Sequence, residues 1–191
     1  MKHIKLFENW QEDEDMESGS TLEYTPESDI NSVTPEEAKS LIVKAFNAKA
    51  NGEGRIKPIL LVGAPGMGQE AIARAAAEEA GVEPIVLDLS TMSSEDFEGS
   101  AYVASTDDMS GTTERAIPSW FPTEGSGIIV LSDLNRAENK IMYSAFSLAQ
   151  GGVMGGIRLP GGWLIVATAS GREGGIPFGK FADRFTVYQL A

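Results

Sequence analysis

The sequence predicts a three-layer α/β fold with about five parallel strands, and three observations carry that expectation. Continuous apolar runs at Pro58-Ile59-Leu60-Leu61-Val62, Ile128-Ile129-Val130-Leu131 and Trp163-Leu164-Ile165-Val166-Ala167-Thr168 read as strands buried on both faces. Segments with helical spacing separate these runs. A glycine frame, Gly63-Ala64-Pro65-Gly66-Met67-Gly68, follows the first run and opens a helix. Strand, glycine loop, helix and strand form the βαβ setting that a phosphate-binding loop requires.

Taken in order, residues 1–10 form a short amphipathic piece. The acidic, Ser/Thr-rich stretch 11–33 reads as a linker and contains Glu12-Asp13-Glu14-Asp15 and Glu17. Its burial of apolar surface cannot offset the entropy of ordering it, so residues 1–33 are expected to be a flexible acidic segment ahead of a core at 34–191. The run is a solvated segment or an acidic docking arm for a basic partner. Thr34 as N-cap, Pro35 at the first helical position and Glu37 closing a capping box start a helix. Its apolar stripe is Ala38, Leu41, Ile42, Ala45 and Phe46, and Asn51-Gly52-Glu53-Gly54 ends it.

The strand at 58–62 leads into the glycine loop and an Ala-rich helix from about Glu70 to Ala80, stopped by Gly81. Pro84-Ile85-Val86-Leu87-Asp88-Leu89 is a second strand, and Ser94-Glu95-Asp96-Phe97 a turn or helix start. The strand at 128–131 precedes a helix from Asn139 to Gln150 with Ile141, Met142, Ala145, Phe146 and Leu148 on one face. Paired glycines between 151 and 162 predict a hairpin, the strand 163–168 follows, and Phe185-Thr186-Val187-Tyr188 completes the set. The phosphate-loop strand is expected between the strands at 128–131 and 163–168.

Bulk composition narrows the function classes. A chain of 191 residues with 42% hydrophobic content is long enough for one domain with a sizeable core. No apolar run reaches membrane-spanning length, and no secretory h-region follows Met1, so no membrane association is expected. The absence of Cys excludes disulfides, thiol catalysis and zinc-thiolate sites and fits a cytoplasmic setting. The net charge is −13, and no basic stripe suggests nucleic-acid binding. The single histidine, His3, reads as a solvated tail residue, while Trp120 and Trp163 read as core or interface residues.

The chemical end of the glycine frame is altered. A phosphate loop closes with Lys, which reaches the β/γ-phosphates, and Ser/Thr, whose hydroxyl holds Mg²⁺. Gln69 and Glu70 stand at those positions. Gly63, Gly66 and Gly68 therefore serve either a tight strand-to-helix turn or a phosphate cradle built from backbone N–H groups.

An ordered series of motifs over residues 35–191 resembles AAA+ ATPases of the MoxR / dynein-related branch. Leu60–Gly68 resembles the Walker A strand and loop. Leu87-Asp88-Leu89-Ser90 with Ser94-Glu95-Asp96-Phe97-Glu98-Gly99 is similar to the segment after the second strand. Pro118-Ser119-Trp120-Phe121-Pro122 is similar to the approach to Walker B, and Ile128–Ala137, ending Leu134-Asn135-Arg136-Ala137, to Walker B itself. Ile157-Arg158-Leu159-Pro160-Gly161-Gly162-Trp163 resembles the entry to sensor 1, and Asp183-Arg184-Phe185 the end of the ATPase core. The resemblance implies a P-loop NTPase core that binds ATP with Mg²⁺.

The same alignment implies roles residue by residue. Ser132 falls at the Mg²⁺-organising Asp and Asp133 at the catalytic Glu, one methylene shorter than the usual base. Ser170 falls at sensor 1, usually Asn. Arg184 falls at an arginine finger that reaches a neighbouring subunit's nucleotide, or else it makes an ordinary ion pair. Asp133 is either the base or a strand-end carboxylate capping a turn. Asn135 and Arg136 contact the following helix or a neighbour. The family's helical lid follows such a core; six residues follow Phe185, so a core without the lid is expected. Ile4–Trp10 is similar to leader segments on tailed-phage proteins, and Leu6-Phe7-Glu8 fits the L-x-E pattern cut by prohead proteases.

Two functions follow from the resemblance and its departures. One is a pseudo-ATPase with a degenerate nucleotide site, serving as a protein-binding or scaffold module, alone or in a homo- or hetero-oligomer. The other is an ATP-binding remodelling or chaperone subunit with weak or partner-dependent hydrolysis.

Overall fold

A parallel sheet forms the middle layer because its strands carry apolar side chains on both faces. The computed structural model describes residues 31–105, 111–171 and 179–191. Along the chain these give β1 (Asn31–Val33), α1 (Pro35–Ala50), β2 (Ile59–Gly63), α2 (Gln69–Glu79), β3 (Ile85–Asp88) and α3 (Ser94–Glu98). Then come β4 (Ala101–Ser105), β5 (Gly111–Arg115), β6 (Ser126–Ser132) and α4 (Asn139–Gly151). The short β7 (Val153–Met154) and β8 (Ile157–Arg158) precede β9 (Gly162–Ser170) and β10 (Thr186–Leu190). The main sheet has six strands in the order β1-β10-β2-β9-β6-β3, and every pairing in it is parallel.

The period of two along each strand assigns its residues to layers. Ile59 and Leu61 of β2, Ile128 and Val130 of β6, and Leu164 and Val166 of β9 face α1 and α2, meeting Ile42, Phe46 and the small Ala73, Ala76 and Ala77. Their alternates Leu60, Val62, Ile129, Leu131 and Ile165 face α4, where Ile141, Phe146 and Leu148 fill the second core. The α1 start has the expected chemistry: Glu37 N–H donates to Thr34 Oγ1 at 3.3 Å, and Thr34 N–H donates to Glu37 Oε2 at 2.8 Å. Lys39 joins α1 to α2 through Glu79 at 3.2 Å, and pairs with Glu36 of its own helix at 3.0 Å. No helix among the described residues is long and apolar enough to cross a membrane.

Several expectations change. The phosphate-loop strand β2 lies between β9 and β10, not between β9 and β6. The reason is that β6 pairs with β9 on one edge and β3 on the other, so neither of its edges is left for β2. Composition predicts a linker as far as residue 33, but Asn31–Val33 forms β1, pairing with Tyr188–Leu190 and making the sheet six-stranded. The rest of the acidic segment, the leader-like residues and His3 lie outside the described residues. Ser94 to Glu98 is a true helix, capped by Ser93. The antiparallel hairpin β4–β5 is not predicted by the sequence pattern, because Ala101–Val103 and Gly111–Arg115 are exposed and carry no core-facing alternation.

That hairpin is tied down at its base. Arg115 Nη1 donates to Gly99 O at 3.0 Å and lies 3.3 Å from Glu98 Oε2, and Glu98 accepts a hydrogen bond from Ser144 of α4. Gly99 turns the chain at φ 81°, and a Cβ there would stand 1.8 Å from the Ala116 carbonyl oxygen. Gly99→Ala therefore combines a left-handed backbone with a backbone clash and should destabilise the protein by at least about 2 kcal/mol. Urea denaturation reads this as a lower midpoint; an unchanged midpoint would show that the hairpin base yields freely.

Candidate functional site

Parallel pairing collects the chemistry-bearing residues at the end of the sheet where the strands finish. Gly63 is level with Ser170, Gly171 N–H donates to Gly63 O at 3.0 Å, and Asp88 is level with Ser132. Gly66 at φ 90° and Gly68 at φ 78° turn the loop back, and α2 starts at Gln69 with no side-chain cap on its first N–H groups. This is the backbone of an anion cradle at a helix N-terminus.

The cradle is filled by its own side chains. Gln69 is 9% exposed, and its Nε2 donates to Ala64 O at 3.2 Å. The Ala64 N–H donates to Met67 Sδ at 3.3 Å, while Met67 N–H donates to Ala64 O at 3.2 Å. The two side-chain ends converge above Gly63: a Cβ there would meet Gln69 Nε2 at 3.0 Å and Met67 Sδ at 3.3 Å. A phosphate entering the loop must displace both. Each neutral hydrogen bond contributes only about 1 kcal/mol net, so the plug alone is a modest barrier. The larger loss is the missing ammonium at position 69.

The metal end is chemically reversed. The ordinary arrangement opposes a hydroxyl on the loop helix to a carboxylate on the strand. Here the carboxylate, Glu70, is on α2 and the hydroxyl, Ser132, is at the buried end of β6. The Ser132 hydroxyl beside the Glu70 carboxylate is the main influence holding its pKa below the ordinary glutamate value. Arg74, with Nε 2.8 Å from Oε1, acts in the same direction. Partial burial and the nearby Asp88 carboxylate oppose them.

Asp133 follows Ser132 and is the single non-glycine residue with positive φ among the described residues, at φ 52° and ψ 43°. Asp tolerates that conformation better than most side chains. Its N–H donates to Thr168 Oγ1 at 3.1 Å, and its Oδ2 is 4.0 Å from Arg136 Nη1. Asn135 clamps Ser170 by donating to its carbonyl at 2.8 Å and accepting from its N–H at 3.1 Å. Asn135 thus fixes β6 to β9 in this chain.

The structure therefore brings together the loop residues Gly63, Ala64, Pro65, Gly66, Met67, Gly68, Gln69 and Glu70 with Ser132, Asp133 and Ser170. It does not bring Arg184 to them. Arg184 ends a 3-10 turn before β10, at the end of the sheet where the strands begin. Sequence reasoning missed Met67 as a plug, Thr168 as an acceptor and Asn135 as the Ser170 clamp. Only Asn135 carried a signal, as part of the Leu134-Asn135-Arg136-Ala137 motif.

These residues do not fit Mg·ATP. Gln69 and Met67 occupy the cradle, no ammonium stands at position 69, and Glu70 presents a carboxylate where a metal-bound phosphate needs a hydroxyl. At an effective dielectric of about 20, a like-charge contact near 4 Å opposes binding by about 4 kcal/mol.

No protein-family model matches the sequence, and no curated protein does. Solved structures do resemble it. RuvB of Thermotoga maritima, a Holliday junction branch migration motor, is 15% identical with a TM-score of 0.53, over 82% of this chain and 44% of that one. Hsp104, in its closed state with ATPγS and casein, is 14% identical with a TM-score of 0.58, over 83% of this chain and 33% of that one. NtrX of Brucella abortus is 14% identical with a TM-score of 0.52, over 84% and 36%. The chain spans less than half the length of these proteins. The likeness shows that it has the core fold of AAA+ P-loop ATPases.

The lowered pKa of Glu70 fixes a sign. Its folded value lies below its unfolded value, so its contribution to stability is present above the ordinary glutamate pKa of 4.5 and is lost as pH falls through the folded value. Ser132→Ala removes the largest cause of the depression. An NMR titration of the Glu70 side-chain carbonyl should show the pKa rising towards 4.5, and an unmoved titration would mean that Arg74 alone sets it.

Proposed function

We propose that this chain is a pseudo-ATPase: an AAA+ core, of the MoxR-like type by its motifs, whose degenerate nucleotide site has become structural and which serves as a protein-binding or scaffold module. The observation that supports this best is the self-filled loop, where Gln69 and Met67 meet above Gly63 beside a reversed Glu70–Ser132 pair. Phosphoryl transfer depends on positive charge around the γ-phosphate and on a held metal. Neither is supported by these residues. Assembly with itself or with an active relative is part of the proposal, and Arg184 would then act on a neighbour's site rather than its own. The cysteine-free sequence supports a cytoplasmic setting, that of a host cell if the leader-like N-terminus reflects phage origin.

One observation favours a second reading, an ATP-binding remodelling subunit with weak or partner-dependent hydrolysis. Gly66 and Gly68 keep the left-handed turns, and α2 keeps its uncapped N-terminus, so backbone N–H groups remain available to an anion once the plug moves.

Thermal unfolding with Mg·ATP separates the two. A site with Kd of about 10 µM would raise Tm by about 5–10 °C at about 1 mM nucleotide. The pseudo-ATPase reading expects no resolvable rise and no turnover. Gln69→Lys alone should change little, because Glu70 and Ser132 still hold the metal badly. Gln69→Lys, Glu70→Thr, Ser132→Asp and Asp133→Glu together should give Mg·ATP binding measurable by calorimetry. Brisk hydrolysis by the unmodified protein, abolished by Asp133→Ala, would overturn the proposal.

A further inference from the structure

A basic basin lies at the end of the sheet opposite the phosphate-type loop. It is a cavity of about 540 Å³ beneath the first residues of β2 and β9 and the turn before β10. Lys49, Arg55, Lys57, Arg158 and Arg184 line it, with Asp183 as its one carboxylate among the described residues. Among the described residues Lys49, Arg55, Lys57 and Arg158 make no ion pair. Lys57 reaches only a backbone oxygen, that of Asp183, at 3.4 Å. Burial pushes the Lys49 ammonium below the ordinary lysine pKa. The C-terminal ends of α1 and α4 also reach the basin, each contributing about half a negative charge. Four unpaired cations exceed what two helix ends balance, and they do so in a chain of net charge −13.

The same chain carries the complementary charge, and its topology delivers that charge to this end. The strands of the main sheet run parallel, so all of them begin at the basin end. Asn31 is level with Tyr188, which is level with Leu61, two residues above Ile59. The chain therefore enters β1, at Asn31, at the end of the sheet where the basin lies. Neighbouring strands lie about 4.8 Å apart, which puts β1 about 14 Å from β9. The stretch from Glu17 to Asn31 can span up to about 45–50 Å when extended. The run Glu12-Asp13-Glu14-Asp15 with Glu17 is within reach, and Lys2 and Lys5 are the only Lys or Arg residues in the first thirty.

We propose that the acidic run at residues 12–17 docks in the basin formed by Lys49, Arg55, Lys57 and Arg158 of the same chain, covering this end of the core. Tethering raises the effective concentration to the millimolar range, so individually weak exposed ion pairs suffice. The contact is electrostatic and screened by salt. A basic partner that captures the acidic run, or an anionic partner that takes the basin, would then have to displace it.

The test uses the full chain, whose lack of Cys makes a single label unique. A nitroxide on Ser18→Cys should broaden the amide signals of residues 55–57, 149–152, 158, 159 and 161, removing on the order of half their intensity at low salt. Broadening should vanish at about 1 M NaCl, where the Debye length is about 3 Å. It should also vanish in Arg55→Glu with Arg158→Glu. Replacing Glu12, Asp13, Glu14 and Asp15 by Ser should abolish it without touching the core, which keeps the test valid if the charge reversal perturbs folding. Unbroadened basin amides at low salt would overturn the proposal. So would broadening that survives the Ser replacements, or broadening seen only between labelled and unlabelled copies in a mixed sample.

Discussion

The parallel pairing of β9 with β2 on one side and β6 on the other is the constraint from which the rest of the architecture follows. It sets Gly63 beside Ser170 and brings Asp133 N–H to Thr168 Oγ1. Asn135 then locks the two strand ends by bonding both backbone groups of Ser170. Because β9 is buried on both faces over Trp163–Ala169, it cannot slip by one residue without driving apolar side chains into the wrong layer. The edge that carries the candidate site is therefore rigid whether or not any chemistry occurs there.

On that edge the residue types have been exchanged rather than erased. A carboxylate and a hydroxyl still face each other, but Glu70 is on the helix and Ser132 on the strand. The pair keeps a hydroxyl beside a carboxylate, with Ser132 lowering the Glu70 pKa, but it no longer has the hydroxyl on the helix that would help hold Mg²⁺. Likewise Gln69 keeps the length to reach the loop but spends its donor on Ala64 O. A Lys at that position would carry the positive charge that a γ-phosphate needs, and the neutral Gln69 amide does not.

The two ends of the sheet differ in how their charges are matched. At the end where the strands finish, Glu70 and Asp133 have Arg74 and Arg136 beside them, while Lys49, Arg55, Lys57 and Arg158 gather where the strands begin without an ion pair among the described residues. In a chain this acidic, a basic end is a local exception maintained against the average, and it is also the end at which the acidic N-terminal residues join the core. Arg184 belongs to this basic end, which separates it from the loop of its own chain.

The sequence by itself determined the layer architecture, because continuous apolar runs alternating with helical stripes have few other ways to bury both faces. It also determined the chemistry of the site: Gln69, Glu70, Ser132 and Asp133 are readable as departures once the motif frame is recognised. The start of α1 was equally legible, since a capping box is a contact between residues three apart. Strand order was not legible, and β2 settled beside β10 because β6 used its edges on β9 and β3. Nor were β1 and the β4–β5 hairpin, which are short or exposed and carry no burial pattern. The plug of Gln69 and Met67 over Gly63, the Asn135 clamp and the clustering of cations at the far end were decided only by tertiary structure. They depend on which residues distant in sequence are brought within a few ångströms, and side-chain periodicity encodes faces and not neighbours.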